Sequence, residues 1–240
     1  MLSLGGIKGF LFVFLSFFLF ELILLPHYGT DWDTINHLPR GQAYLRYMLT
    51  GDPTYKKLPD YVEYHQKENT LFFSPSKPKD QIPRRSLYQI SGYGASYFLK
   101  KDGGHPPLSD IFSSIFNVVL FQEARLINDI DSYHVYTVFM AALLVAAIFW
   151  WTKKNYDTFT ALVAALSLIL YPLFLGESHF NVKDIPQASF FSLMIIFLYE
   201  GITRKKNSLL VLSAVFFGCS WGTKFNILFS PLIMLPWIIL

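Results

Sequence analysis

Six apolar runs, each near the length needed to cross a bilayer, constrain this chain more than any other feature. They fall at residues 7–25, 135–151, 159–175, 185–199, 209–221 and 225–240. A hydrocarbon core takes about 17–25 such residues per helix, and it excludes lipid-exposed loops and open strands. Charged residues make up only 15% of the 240 positions, against about 25% in a soluble domain, which sets aside the soluble and disordered classes. With Cys219 the sole cysteine, no internal disulfide can form, and a disulfide-stapled secreted domain is excluded. The expected fold is an all-α polytopic membrane protein.

The first run is followed by Pro26, His27 and Tyr28 rather than by a small-residue cleavage site, so it reads as a retained anchor and not as a cleaved signal. Residues 1–25 are therefore expected to form the first span, 26–134 a large extracytoplasmic loop, and 135–240 five further spans. Lys8, the Lys153–Lys154 pair and the run Arg204, Lys205 and Lys206 fall on one side if the N-terminus is cytoplasmic, as the positive-inside rule requires. The net charge of +3 is thereby a matter of topology, and no nucleic-acid partner is expected. Within the loop, residues 34–49 and 107–121 carry apolar side chains near helical spacing and are expected to be interfacial amphipathic helices. Residues 60–85 read as a polar surface excursion. The chain stops at Leu240 inside an apolar run, which reads as an N-terminal fragment of a longer protein.

Polar groups just outside the spans carry the chemistry, and each has two readings. Asp31 and Asp33 follow the first span closely. Either is a helix cap for the segment from Thr34, or a carboxylate able to act as general base on an acceptor hydroxyl or amine. His105 precedes Pro106 and Pro107, a stiff pair that fixes its direction whether or not the histidine is used. In the turn from Glu177 to Pro186, Lys183 and Asp184 form either an interfacial salt bridge or a phosphate contact with a carboxylate that orients it. Glu177, His179 and Asp184 match no strong metal-ligand spacing, and a divalent metal is not expected. Lys224 either snorkels or neutralises an anionic headgroup as a point charge.

Taken in order, these elements resemble the GT-C superfamily of polyprenyl-phosphate-sugar-dependent glycosyltransferases, and within it glycosyltransferase family 39, the protein O-mannosyltransferase and aminoarabinose-transferase type. The run Asp33-Thr34-Ile35-Asn36-His37-Leu38-Pro39-Arg40-Gly41 is similar to the family's loop opening at Asp33, His37, Arg40 and Gly41, and departs at Thr34, where a second acidic residue is usual. His105-Pro106-Pro107-Leu108 matches a second signature. Asn181-Val182-Lys183-Asp184-Ile185-Pro186 looks like a third, with valine replacing a proline, and Thr223-Lys224-Phe225 like a fourth.

The resemblance implies Asp33 as catalytic base, with Asp31, His37, Arg40, His105, Lys183, Asp184 and Lys224 binding substrate. It implies a polyprenyl-phosphate-linked sugar as donor, and a protein, lipid or glycan as acceptor. The active site would be extracytoplasmic in a multi-pass protein of the cell membrane, with its helices among membrane lipids. No Gly-rich phosphate loop is present, and no cofactor is implied. The alternative readings are a transporter or flippase and a non-catalytic assembly subunit.

Overall fold

The structure, a computed structural model, describes residues 4–101, 104–232 and 235. Among these residues the chain is helical, with two isolated bridges, Gln66 to Pro75 and Phe72 to Ile127, and no extended sheet. Three stretches are long and apolar enough to cross a membrane: Gly6–His27, Asp129–Asn155 and Asp184–Thr203. The helices are α1 (Leu4–Leu24), α2 (Thr34–Thr50), α3 (Ala95–Lys101), α4 (Leu108–Asn117), α5 (Asp129–Asn155), α6 (Thr158–Ile169), α7 (Pro172–Glu177), α8 (Asp184–Thr203) and α9 (Asn207–Trp221).

The central helix is α5. Val138, Ala141, Ala142, Val145 and Ala146 are fully buried along it, and these small side chains let neighbouring helices approach closely. Against it lies α1, apolar on every side, as suits a helix that faces lipid. Phe17 and Glu21 of α1 and Leu25 just after it, spaced one turn apart, are buried, while Leu11, Phe12, Leu15, Leu19, Phe20 and Ile23 stay exposed. Phe14 meets Phe139 edge-on with ring centroids 5.4 Å apart.

The expected span at 159–175 is two helices. Pro172 supplies no backbone N–H and disfavours helical geometry in the residue before it, and Tyr171 adopts φ −74° and ψ 112°. The α8 and α9 helices form an antiparallel pair whose connection is tight: a Cβ on Gly201 would stand 2.6 Å from the Leu210 side chain. Of the expected run at 225–240, Phe225–Phe229 is a short 3-10 helix, and residues 233, 234 and 236–240 lie outside the described residues.

The basic clusters share one end of the bundle. Lys154 and Arg204 both pair with the buried Glu200, the latter at 2.7 Å, and the Lys153 ammonium lies close to Gly9. At the opposite end, residues 51–94 are tied to the start of α5 through Leu87 and through the Ser86–Tyr133 hydroxyl pair at 2.7 Å, and α4 reaches the same place through Asn117. Asn117 donates to the Asp129 carboxylate at 2.8 Å and to the Ser132 hydroxyl at 2.8 Å, while the Leu87 backbone N–H donates to Asp129 at 2.7 Å. Gln42, Gln89 and Gln122 extend the same network.

Both loop helices form as expected, but their buried faces are polar. In α4 these are Ser109, Asp110, Ser113, Ser114 and Asn117, and in α2 they include His37, Arg40 and Gln42. Ile35, Met48 and Leu49 of α2 are exposed. The α2 face is mixed, since Leu38, Ala43 and Leu45 are buried with these polar residues, and Phe112 and Phe116 of α4 pack against the apolar core around α5.

Candidate active site

The first wall is the N-terminus of α2. Asp31 accepts from the Thr34 backbone N–H at 2.8 Å and also from the Thr34 hydroxyl, satisfying one of the free donors of the first turn. Asp33 occupies the N-cap position, yet its side chain makes no cap hydrogen bond; its backbone carbonyl accepts from the N–H groups of Asn36 at 3.0 Å and His37 at 3.1 Å. Thr34 is buried and serves the cap. The Asp33 carboxylate is exposed on the wall of the site.

One turn further, the α2 and α4 backbones touch. A Cβ on Gly41 would stand 2.1 Å from the Asp110 backbone oxygen, so glycine is what permits the approach. That approach delivers the Asp110 carboxylate, 0% exposed, to three side chains. Arg40 donates through Nε at 2.7 Å and is paired through its terminal nitrogen at 2.6 Å; Lys183 Nζ lies at 3.0 Å and His37 Nδ1 at 3.4 Å. Arg40 also reaches His37 Nδ1 at 2.8 Å. Burial alone would raise the Asp110 pKa, but the His37 hydrogen bond and the Lys183 and Arg40 charges prevail and hold it below the usual carboxylate range.

The remaining walls are turns sewn together by backbone groups. Pro107 starts α4, the Leu108 N–H donates to the Gly222 carbonyl at 2.9 Å, and Lys183 Nζ donates to the Pro106 carbonyl at 2.6 Å and to that of Thr223 at 3.4 Å. The turn before α8 is organised by Asn181, whose side-chain oxygen accepts from the backbone N–H of Lys183 at 3.0 Å and of Asp184 at 2.8 Å. Val182 is buried beside Leu38, Tyr88 and Tyr133, so an apolar residue suits that position. Asp184 pairs with Lys224, both partly exposed, and not with its neighbour Lys183.

Asp31, Asp33, His37, Arg40, His105, Lys183, Asp184 and Lys224 all line one cavity of about 600 Å³. Tyr97, Phe98 and Lys101 of α3 and Phe225 complete it. The phosphate-facing expectation for Lys183 is altered: its ammonium is buried and directed at Asp110, and burial lowers its pKa against the opposing pull of that carboxylate. Lys224 is the more accessible of the two cations. The Glu177–His179–Asp184 grouping does not form, because His179 turns inward; it lies 3.2 Å from Glu21 and stacks on Tyr28 at 3.8 Å. Among the described residues no set of three His, Cys, Asp or Glu is placed to hold a metal ion. Asp110 is the site residue that sequence spacing did not single out, and its one signal was a carboxylate two residues beyond the His-Pro-Pro-Leu run.

The family described as dolichyl-phosphate-mannose-protein mannosyltransferase matches residues 105–240, a stretch that begins at His105 and contains Lys183, Asp184 and Lys224. Asp33, His37 and Arg40 lie before it. No curated protein and no solved structure matches the chain.

Proposed function

Because the chain belongs to the dolichyl-phosphate-mannose-protein mannosyltransferase family, we propose that it transfers a sugar from a polyprenyl-phosphate donor to an acceptor on the extracytoplasmic face of the membrane. It is a membrane glycosyltransferase of the GT-C type, and family membership decides for the transferase over the transporter. The observation that carries the finer reading is the single cavity in which an uncapped carboxylate faces cationic side chains from two distant turns. The cavity sits at the Asp184 end of α8, and Arg204 follows the other end. A helix of 20 residues rises about 30 Å, one hydrocarbon thickness. That separation between the site and the basic clusters, taken with the positive-inside rule, supports an extracytoplasmic site.

In the proposed reaction Asp33 takes the proton from the acceptor hydroxyl or amine as that atom attacks the anomeric carbon. The bond from that carbon to the phosphate oxygen breaks, the electron pair leaves with the polyprenyl phosphate, and the configuration inverts. Lys224, supported by Lys183 behind it, offsets the second negative charge that appears on the leaving phosphate, a preorganised electrostatic role. His37 and Arg40 are held by Asp110 and shape the floor, and His105 borders the entrance. The aromatic side chains Tyr97, Phe98 and Phe225 offer apolar surface to a sugar ring.

The test is transfer by purified protein in lipid vesicles, given mannosyl polyprenyl phosphate and a native membrane fraction as acceptor. Labelled product and free polyprenyl phosphate should appear together, and a nucleotide-linked mannose should not substitute. Transfer from the nucleotide sugar, with the lipid-linked donor inert, would overturn the proposal.

A further inference from the structure

Asp110 is surrounded from several elements. His37 and Arg40 reach it from α2 and Lys183 from the turn before α8; Ser109, its neighbour, donates to Tyr136 of α5 at 3.1 Å. Beyond Lys183 stands the Lys224–Asp184 pair, neutral in itself. Buried charges persist only when paired. Here one buried carboxylate serves two cations, Arg40 and Lys183, while Asp31, Asp33 and Lys101 line the same cavity.

We propose that Asp110 is a positioning residue of the transferase site, a fixed counter-charge that keeps Lys183 protonated and in place at the edge of the cavity, where a donor phosphate oxygen can approach it. The proposal rests on the transferase reading above. Its geometric basis is the set of acceptors on the Lys183 ammonium. The Pro106 carbonyl accepts at 2.6 Å and Asp110 forms an ion pair at 3.0 Å, whereas the Thr223 carbonyl at 3.4 Å holds the remaining direction loosely. That third direction is the one a phosphate oxygen can take over. Arg40 is anchored to the same carboxylate through two nitrogens and cannot follow a ligand outward.

The role separates from a merely structural one by its pH dependence. Burial already lowers the Lys183 pKa, with Arg40 and Lys224 adding to that effect and Asp110 opposing it. In Asp110→Asn the opposing charge is gone. The alkaline limb of kcat/KM for the lipid-linked donor should move to lower pH by about one unit, about a tenfold loss of rate above both limbs. In Asp110→Glu the limb should stay where it is in the wild type. The shape of the profile is independent of how much protein is folded, so a partly folded preparation still reads it. If Asp110→Asn yields no folded protein, Lys183→Arg takes its place: arginine stays protonated, and the alkaline limb should disappear from the accessible range. An active wild type with an unmoved limb in Asp110→Asn, or with the limb intact in Lys183→Arg, overturns the proposal. A wild type inert toward the lipid-linked donor overturns the transferase reading instead.

Discussion

Asp31 accepts the Thr34 backbone N–H at 2.8 Å, and by doing so it releases Asp33, two residues on, from the duty of capping the helix that both precede. The two carboxylates thus divide the cap and the chemistry between them. Asp31→Ala should cost roughly 1 kcal/mol of stability, the usual worth of an N-cap, and lower transfer only as far as the Asp33 segment loosens. Thermal unfolding in detergent, set beside the transfer rate, reads both.

Lys224→Ala should raise the KM for donor about tenfold or more, as loss of a hydrogen bond to a charged group implies, with less change in the acceptor KM. Its partner supplies the converse. Asp184→Asn leaves Lys224 free of its carboxylate, and the donor KM should fall or hold. Equal effects of Lys224→Ala on donor and acceptor would count against phosphate contact.

Gly41→Ala tests the floor of the cavity. The added methyl would stand 2.1 Å from the Asp110 backbone oxygen, so α2 and α4 must separate. Overpacking of this kind costs roughly 1–3 kcal/mol, and the separation would also displace Arg40 from Asp110. Unchanged unfolding temperature and transfer rate would show that the helices do not meet there.

Stability should depend on pH through Asp110. Its folded pKa lies below the unfolded value, burial being outweighed by the His37 hydrogen bond and the neighbouring cations. A depressed carboxylate contributes stability above its unfolded pKa, about 3.9, and loses that contribution as pH falls through the folded value. The wild type should exceed Asp110→Asn in unfolding temperature at neutral pH, and the gap should close on acidification below about pH 4. A gap of constant size across that range would contradict the sign.

A second buried carboxylate ties the first span to the site. Glu21, on α1, accepts from the Ser178 hydroxyl and faces His179 Nε2 at 3.2 Å, which secures the turn that carries Lys183. Ionisable groups on a spanning helix are costly unless paired. Glu21→Ala should destabilise the protein by roughly 1–3 kcal/mol through the partners left unsatisfied, and differential scanning of the purified variant would measure it.

Much of this was legible in the sequence because it rests on local pattern. Three of the six apolar runs coincide with helices long and apolar enough to cross a membrane, and two of the basic clusters mark the end at which Lys154 and Arg204 meet on Glu200. The residues around Asp33, His105, Lys183 and Lys224 were found by motif, and they do share a cavity. The break at Tyr171–Pro172 was legible too, through proline's effect on the residue before it, but the length of the apolar run hid it. Asp110 was not legible. The polar stripe of α4 reads as a solvated face, and only the docking of Gly41 of α2 onto α4 turns it inward. Glu21 and His179 likewise meet across a separation in sequence that no local period encodes.

The assignment of Asp33 as base is tested most directly by comparing Asp33→Asn with the wild type in vesicles holding equal amounts of inserted protein and saturating mannosyl polyprenyl phosphate. Transfer should fall about a hundredfold or more, the usual weight of a general base, while the protein stays folded and still binds the donor. Transfer at the wild-type rate would remove the carboxylate from the reaction and with it the mechanism built around this cavity.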